Sequence, residues 1–328
     1  MTVLAVDGLT VEFATERGTL TALREVSFDI PERSIVGVVG ESGCGKSTLI
    51  NAILGLLADN GDVAGGSMIF EGQHDLGQIG PEAMRALRGQ RIATVFQDPM
   101  GALNPVLSVG RQMVNIQYRS NLSQREKAAR AAGMLRKVRI PDPERQLDRF
   151  PHEFSGGMKQ RIAIAMALMM EPALLIADEP TTALDATLEV ATIELLHDLQ
   201  RDIGCSILFI SHHLGVIAEL CDQVIVMYAG EVVERGTVRQ IFHRPRHPYT
   251  AKLFECDPAR LHGRSRMLPT IPGEVPDLRA RPKGCVFAPR CHRVTEQCGE
   301  RPPAQTFESG HAALCWLADK PELAEVQG

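Results

Sequence analysis

The chain has 328 residues, of which 44% are hydrophobic, with eight cysteines and a formal net charge of −5. That length suits one large domain with an appendage, or two domains, and supplies enough apolar residues for a substantial core. The mild acidity argues against a globally basic nucleic-acid binder, and no apolar run reaches the roughly 18–20 residues of a membrane helix. The N-terminal stretch MTVLAVDGLTVEF has no basic region ahead of an apolar one. It is expected not to be a secretory leader, and the chain is expected to stay in the cytoplasm.

The first 35 residues alternate apolar and polar, as in Leu9–Phe13 and Val26–Ile30. This is the period of half-buried antiparallel strands. Ser34–Val39 reads as a buried strand running into a glycine-rich turn, and Ser47–Leu57 follows with apolar residues at helical spacing. Between them stands GESGCGKST, residues 40–48, which matches the phosphate-loop pattern. Its glycines let backbone N–H groups point at phosphate oxygens, so Ser42, Gly43, Cys44, Gly45, Lys46, Ser47 and Thr48 are the expected nucleotide contacts. Lys46 would reach the β- and γ-phosphates, and the Ser47 hydroxyl would ligate Mg²⁺. A glycine-rich turn can arise by chance; the adjacent strand and helix argue against chance here. Cys44 sits inside this loop as a space-filling side chain, where alkylation would interfere with ATP.

From about Pro99 to Phe154 the character turns helical. Gln112–Tyr118 and Ser123–Arg139 read as helices, the second capped by Ser123 with Glu126 three residues on. Apolar strands return at Ala173–Ala177, Ser206–Ile210 and Gln223–Met227, separated by helical stretches, which implies a largely parallel sheet covered on both faces. The first of them ends in a carboxylate pair. Asp178 is placed to hold Mg²⁺, and Glu179 to orient or deprotonate an attacking water. Acidic residues often simply end a strand; the phosphate loop gives this pair its meaning. After Ile241 the chain becomes proline-rich and basic, and it reads as an irregular extension, not another sheet layer. The expected division is a nucleotide-binding part over 1–245, with a helical subdomain at about 98–157, and an extension over 246–328.

Cys44, Cys205, Cys221 and Cys256 are scattered, whereas Cys285, Cys291, Cys298 and Cys315 crowd together near the end. In a reducing compartment a crowded set points to a metal or cluster more than to disulfides. The four lack the close CxxC pairs common in structural zinc sites, so a [4Fe–4S] cluster suits them at least as well as Zn²⁺. Zinc and no metal at all stay open, and His292 or His311 could replace one cysteine. Residues 260–293 hold eight Arg or Lys against two acids, read as a solvated basic face and not a nucleic-acid site.

Phe154–Arg161, FSGGMKQR, resembles the signature of the ABC (ATP-binding cassette) family, with Met158 where that family usually has Gln. The resemblance implies a P-loop NTPase core of α/β class with an antiparallel β subdomain, an α-helical insert and an irregular Cys-rich C-terminal extension. It implies that Gln97 contacts Mg²⁺ and water and that Ala183–Asp185 forms the loop whose Asp185 joins the nucleotide site. It implies that His212 contacts the γ-phosphate and that Phe13 stacks on adenine. In that family Ser155, Gly156, Gly157 and Met158 cover the ATP held by another subunit, so a single copy of each motif implies a second ATPase subunit. ATP would close the pair, and hydrolysis would open it.

Within the family the chain resembles the oligopeptide/dipeptide (and nickel) importer ATPases. The run FQDPMGALNP over 96–105, the run HPYT over 247–250 and the tail Gly284–Cys291 with Cys298 and Cys315 carry this. The resemblance favours the iron–sulfur reading of the tail. It also implies a related but different second ATPase, two transmembrane permeases docking near Gly101–Gln112, a substrate-binding protein outside the membrane, and a peripheral position on the cytoplasmic face of the inner membrane. Soluble ABC ATPases of translation or DNA repair, which carry two cassettes or long coiled coils, and a weakly active redox-regulated subunit are the other readings. No nucleic-acid partner is expected.

Overall fold

The computed structural model describes residues 1–181, 185–257, 269–307 and 310–320. Their packing forms two compact units, one of Met1, Pro31–Ser34 and Gly80–Ile210, the other of Thr2–Ile30, Ile35–Ile79 and Ser211–Gly328.

In the second unit the alternating N-terminal sequence forms the strands Thr2–Thr15 and Gly18–Pro31. Gly61–Phe70 pairs antiparallel with the first of these, from Leu4 opposite Phe70 to Phe13 opposite Gly61, and His74–Asp75 forms the far edge. The glycine at 61 lets the Phe13 ring lie close, since a Cβ there would stand 2.4 Å from it.

The same unit holds the buried strand Ile35–Val39, parallel to Gln223–Tyr228 with Val36 opposite Gln223 and Val39 opposite Val226. Gly37 lets helix Leu214–Leu220 close on this strand, since a Cβ would stand 2.9 Å from both Cys221 Sγ and Ile217 Cδ1. Glu231–Thr237 then pairs antiparallel with Gln223–Tyr228.

The tail is less irregular than its proline content suggests. It contributes helix Pro248–Glu255 and two short strands, Ala312–Ala313 against Glu231–Thr237 and Gln305–Thr306 against Ala312–Ala313. Strands of two residues have no periodicity to read. They form because the outer strand of the sheet offers unpaired backbone groups that the tail satisfies.

Helix Pro248–Glu255 is anchored at its start. Proline occupies the first helical position, and His247 Nδ1 accepts from the Tyr249 N–H at 3.0 Å. The backbone N–H groups of Arg246 and His247 both donate to the buried Glu234 carboxylate, at 2.6 and 3.0 Å, and His311 Nε2 shares a hydrogen bond with it at 2.7 Å. One carboxylate thus joins the helix start, the sheet and the tail.

In the first unit Ile92–Val95, Leu174–Asp178 and Ser206–Ile210 run parallel, with Ile92 opposite Leu174 and Leu174 opposite Ser206. Leu174–Ala177 are wholly buried, as expected of strands covered on both faces. Helix Gln124–Lys137 has the expected capping box between Ser123 and Glu126. The helix expected at Gln112 begins earlier, at Val109, because Ser108 caps it by accepting from the Arg111 N–H. Helices Gly156–Leu168 and Ala186–Ile203 complete the unit's long elements. Among the described residues no helix is long and apolar enough to cross a membrane.

Burial pushes the His247 imidazole down to about 3, so it is neutral in the fold and fixed as an acceptor. The unfolded chain takes up that proton near the ordinary histidine value, about 6.5. The neutral-state stability is therefore complete above that value and declines as pH falls toward 3, by up to about 1.4 kcal/mol per pH unit. Urea denaturation between pH 7.5 and 4.5 is expected to show this loss, and His247→Asn to flatten the pH dependence.

Candidate nucleotide-binding site

The loop after Val39 has the conformation a phosphate cradle needs. Gly40, Gly43 and Gly45 have φ of 155°, 79° and 106°. At Gly40 a Cβ would sit 2.2 Å from the Met227 carbonyl and 2.7 Å from Cys44 Sγ, so no side chain fits. At Gly43 nothing among the described residues lies within 4 Å, which leaves the backbone open to a ligand. Helix Lys46–Leu54 begins at once, and its cap residue, Gly45, offers no side-chain acceptor. Its first N–H groups and the positive end of its dipole therefore face the loop. The helix starts one residue before the expected Ser47 and ends at Leu54, three residues early, where Gly55 adopts the left-handed conformation that terminates helices.

Lys46 Nζ folds back on its own loop, donating to the Gly40 carbonyl at 2.7 Å and the Glu41 carbonyl at 3.2 Å. A bound phosphate oxygen could take the place of either acceptor. Ser42, Gly43 and Ser47 are exposed, and Thr48 is half-buried. Cys44 is buried, and burial raises its thiol pKa, partly countered by the Lys46 ammonium at 3.6 Å. Phe13 is half-buried with its ring over Gly61. His212, in this same unit, is exposed just past Ile210 and packs edge-on against His213, ring centres 4.3 Å apart.

The carboxylates belong to the other unit. Asp178 ends its strand and Glu179 follows with φ of 45°, an uncommon conformation for a non-glycine residue, of the kind often found at functional positions. The Glu179 N–H donates to the Ile210 carbonyl at 3.0 Å, holding that turn. Gln97, exposed two residues beyond the strand Ile92–Val95, donates from Nε2 to Glu179 Oε2 at 3.1 Å. The structure thus brings together two residues far apart in sequence that were expected to serve one water molecule.

In the signature, Ser155 caps helix Gly156–Leu168 by accepting from the Met158 N–H at 3.4 Å. The two glycines differ in their reasons. A Cβ at Gly157 would meet Leu188 of the neighbouring helix at 3.1 Å, whereas at Gly156 nothing among the described residues lies within 4 Å. Gly157 serves packing inside the chain, and Gly156 leaves an approachable backbone. Asp185 caps helix Ala186–Ile203, accepting from the Leu188 N–H at 2.9 Å. Ala183 and Leu184, expected beside it, lie outside the described residues.

Cys285 and Cys315 lie near the other cysteines of the tail. Burial, then the nearby Cys298 and Cys291, push the Cys285 thiol up to about 11. Burial, then the other three, push Cys315 up to about 12. Yet among the described residues no three His, Cys, Asp or Glu side chains gather closely enough to hold a metal ion. His311 is committed to Glu234.

The family descriptions "ABC transporter" and "Oligopeptide/dipeptide transporter, C-terminal region" match residues 23–182 and 233–298. The oligopeptide transport ATP-binding protein OppD of Haemophilus influenzae is 45% identical, over 96% of this chain and 97% of that one. The dipeptide transport ATP-binding protein DppD of Bacillus subtilis is also 45% identical, over 97% and 95%. The chain belongs to the ABC transporter ATP-binding proteins. Among solved structures, the ATP-binding cassette MJ0796 in a dimeric post-hydrolysis state with ADP and Pi aligns with TM-score 0.63 and 27% identity, over 72% of this chain and 99% of that one. CbiO1 from Clostridium perfringens, part of an ABC transporter complex, aligns with TM-score 0.64 and 30% identity, over 74% and 91%. This ABC protein is therefore an ATPase with the mixed α/β cassette fold that its motifs implied.

Sequence reasoning gave no role to Glu41, Tyr249 or Arg290. The Tyr249 hydroxyl accepts from the Glu41 N–H at 2.9 Å, and Arg290 pairs with the Glu41 carboxylate at 2.7 Å. Both partners stand in the runs that marked the importer resemblance, and that was the available signal.

Cysteine accessibility checks the packing around the loop. In the native protein at pH 7.5, Cys44 is expected to react with a maleimide far more slowly than half-buried Cys256, and both at similar rates in urea, as read by peptide mapping.

Proposed function

We propose that this ATPase is the motor of a peptide importer, that Gly40–Thr48 holds the phosphates of ATP, and that Glu179 activates the attacking water. The observation that carries the reading is the Gln97–Glu179 contact. It sets a carboxylate acceptor and an amide on one another at the end of an apolar strand, where a water could bridge both. Lys46, on withdrawing from the Gly40 and Glu41 carbonyls, neutralises phosphate charge, and the uncapped helix start adds its N–H groups. Mg²⁺, when bound with ATP, draws charge from the phosphates; Ser47, Asp178 and Gln97 are the residues to hold it. His212 contacts the γ-phosphate and Phe13 stacks on adenine.

Ser155, Gly156, Gly157 and Met158 cover the ATP of a second ATPase subunit, with Asp185 beside them. The open backbone at Gly156 supports that role. The partner is a related, different chain, and two permeases complete the translocation path. A permease segment docks near Gly101–Gln112, following Gln97, where Phe96 and Val106 are 51% and 76% exposed. A substrate-binding protein delivers peptide from outside, and this chain sits peripherally on the cytoplasmic face. We read residues 1–245 as the ATPase module, with the helical subdomain at about 98–157, and 246–328 as the extension.

In the extension, Cys285, Cys291, Cys298 and Cys315 are the residues to hold a [4Fe–4S] cluster. Four cysteines crowded into residues 285–315 without the close CxxC pairs usual in structural zinc sites suit a cluster at least as well as Zn²⁺. Such a cluster would supply a structural staple or an electron-accepting centre; no step of ATP hydrolysis depends on it.

Glu179→Gln is expected to lower turnover in the assembled transporter by about 10²–10⁴-fold while ATP still binds. Wild-type hydrolysis by that variant would place the catalytic base elsewhere. Lys46→Ala should lose nucleotide affinity, measured by calorimetry. Anaerobically purified protein should absorb broadly in the visible and carry about four iron atoms per chain. Stoichiometric zinc or a metal-free protein would remove the cluster.

A further inference from the structure

Glu41, the second residue of the phosphate loop, is held at all of its polar groups. Its N–H donates to the Tyr249 hydroxyl at 2.9 Å. Its carbonyl accepts from Lys46 Nζ at 3.2 Å and from the Cys44 N–H at 3.2 Å. Its carboxylate takes both arms of the Arg290 guanidinium, Nη1 at 2.7 Å and Nη2 at 3.1 Å.

Arg290 is itself locked in place. Beyond the two bonds to Glu41, Nη2 donates to the Ile271 carbonyl at 2.9 Å, Nε to the Pro272 carbonyl at 3.0 Å, and Nη1 to the Tyr228 hydroxyl at 3.3 Å. Those five bonds use the five N–H donors a guanidinium has. Its side chain is only 5% exposed, and its pKa is driven upward, chiefly by the bond to Glu41. Gly273, with φ of 80°, leaves room for the stem, since a Cβ there would stand 3.1 Å from Arg290 Cγ.

The surroundings are aromatic and buried. Tyr228, Tyr249 and Phe287 form a mutual aromatic cluster with ring centres 4.6–5.4 Å apart. Phe287 and Arg290 both lie on the short segment between Cys285 and Cys291, where the Arg290 N–H donates to the Phe287 carbonyl at 2.9 Å. The cysteine-bearing extension therefore grips the phosphate loop directly, through a planar fork that lysine cannot reproduce.

We propose that Arg290 is a positioning residue for nucleotide binding, acting through Glu41 to hold the first turn of the phosphate loop and the carbonyls on which Lys46 rests. The proposal depends on Gly40–Thr48 being the nucleotide loop. Arg290 does not touch the nucleotide. Without the fork, Glu41 is tethered only through its backbone, and the loop samples conformations that cannot bind phosphate. The penalty falls on affinity, because a preorganised site binds without first having to be ordered.

The test uses the full-length chain and calorimetric titration with Mg·ADP, which needs no hydrolysis. Arg290→Gln, Arg290→Lys and Glu41→Gln are each expected to weaken binding by about tenfold or more, the loss of one charge-assisted pair. The double variant Arg290→Gln/Glu41→Gln should bind no worse than its weaker parent, because both changes break the same link. In the assembled transporter the KM for ATP should rise more than kcat falls. Wild-type affinity in the single variants alongside lost binding in Lys46→Ala would overturn the clamp and leave the loop assignment standing. Retained binding in Lys46→Ala would overturn both. Additive losses, or recovery by Arg290→Lys, would reduce Arg290 to a general contributor of charge and also overturn the proposal. Should the Arg290 variants fail to fold, Glu41→Gln decides alone, since it removes the pair from its more exposed side.

Discussion

Strands that are apolar on both faces can carry polar chemistry only where they stop. Ile35–Val39, Ile92–Val95, Leu174–Asp178 and Ser206–Ile210 are all nearly or fully buried, and each is followed, at its C-terminal end or within a few residues, by a residue proposed for the nucleotide site. The phosphate loop follows the first, Gln97 the second, Asp178 and Glu179 the third, and His212 the fourth. Burial thus dictates where the chemistry lies: a charged side chain inside any of these strands would have no partner and no water. This is the general habit of parallel sheets, whose ligands collect beyond the carboxyl ends of the strands.

The loop and the carboxylates reach their shapes by opposite routes. The loop depends on missing side chains. Gly40 admits no Cβ, Gly43 exposes its backbone, and Gly45 leaves a helix start without a side-chain cap. The carboxylate end depends on a strained residue, since Glu179 keeps a left-handed φ that its N–H bond to Ile210 helps to hold. Several other helix starts are closed by a side chain, among them those capped by Ser123, Ser155, Asp185 and Thr237. The helix at Lys46 has no side-chain cap, because its cap residue is Gly45.

The tail is tied to the rest of its unit by buried ionic groups. Glu234 accepts from two backbone N–H groups at a helix start and pairs with His311. Glu231, almost fully buried, meets Arg281 at 3.0 Å and also pairs with Arg24. Glu41 meets Arg290. Glu231 and Glu234 lie in the strand Glu231–Thr237 and Glu41 in the loop after Val39, whereas Arg281, Arg290 and His311 come from the tail. Buried carboxylates of this kind are costly when a partner is removed, so the extension and the sheet are stable together.

The sequence by itself determined the family, the order of the motifs and the strands that carry them, because those signals are local: glycine spacing, apolar runs and caps lie within a few residues of one another. It located the crowded cysteines but not the burial that raises the Cys285 and Cys315 thiols. Gln97 on Glu179, Leu188 over Gly157 and Arg290 on Glu41 were decided only by tertiary structure, since their partners are separated by dozens to hundreds of positions and no period links them. The two short strands of the tail belong to the same class, being too brief to have a pattern and existing only because an edge strand was there to pair with. Glu41 is the clearest case. Within its motif it is merely a variable residue between glycines; only the fold brings it a guanidinium from 249 residues away, and a fork so distant leaves no trace in local sequence.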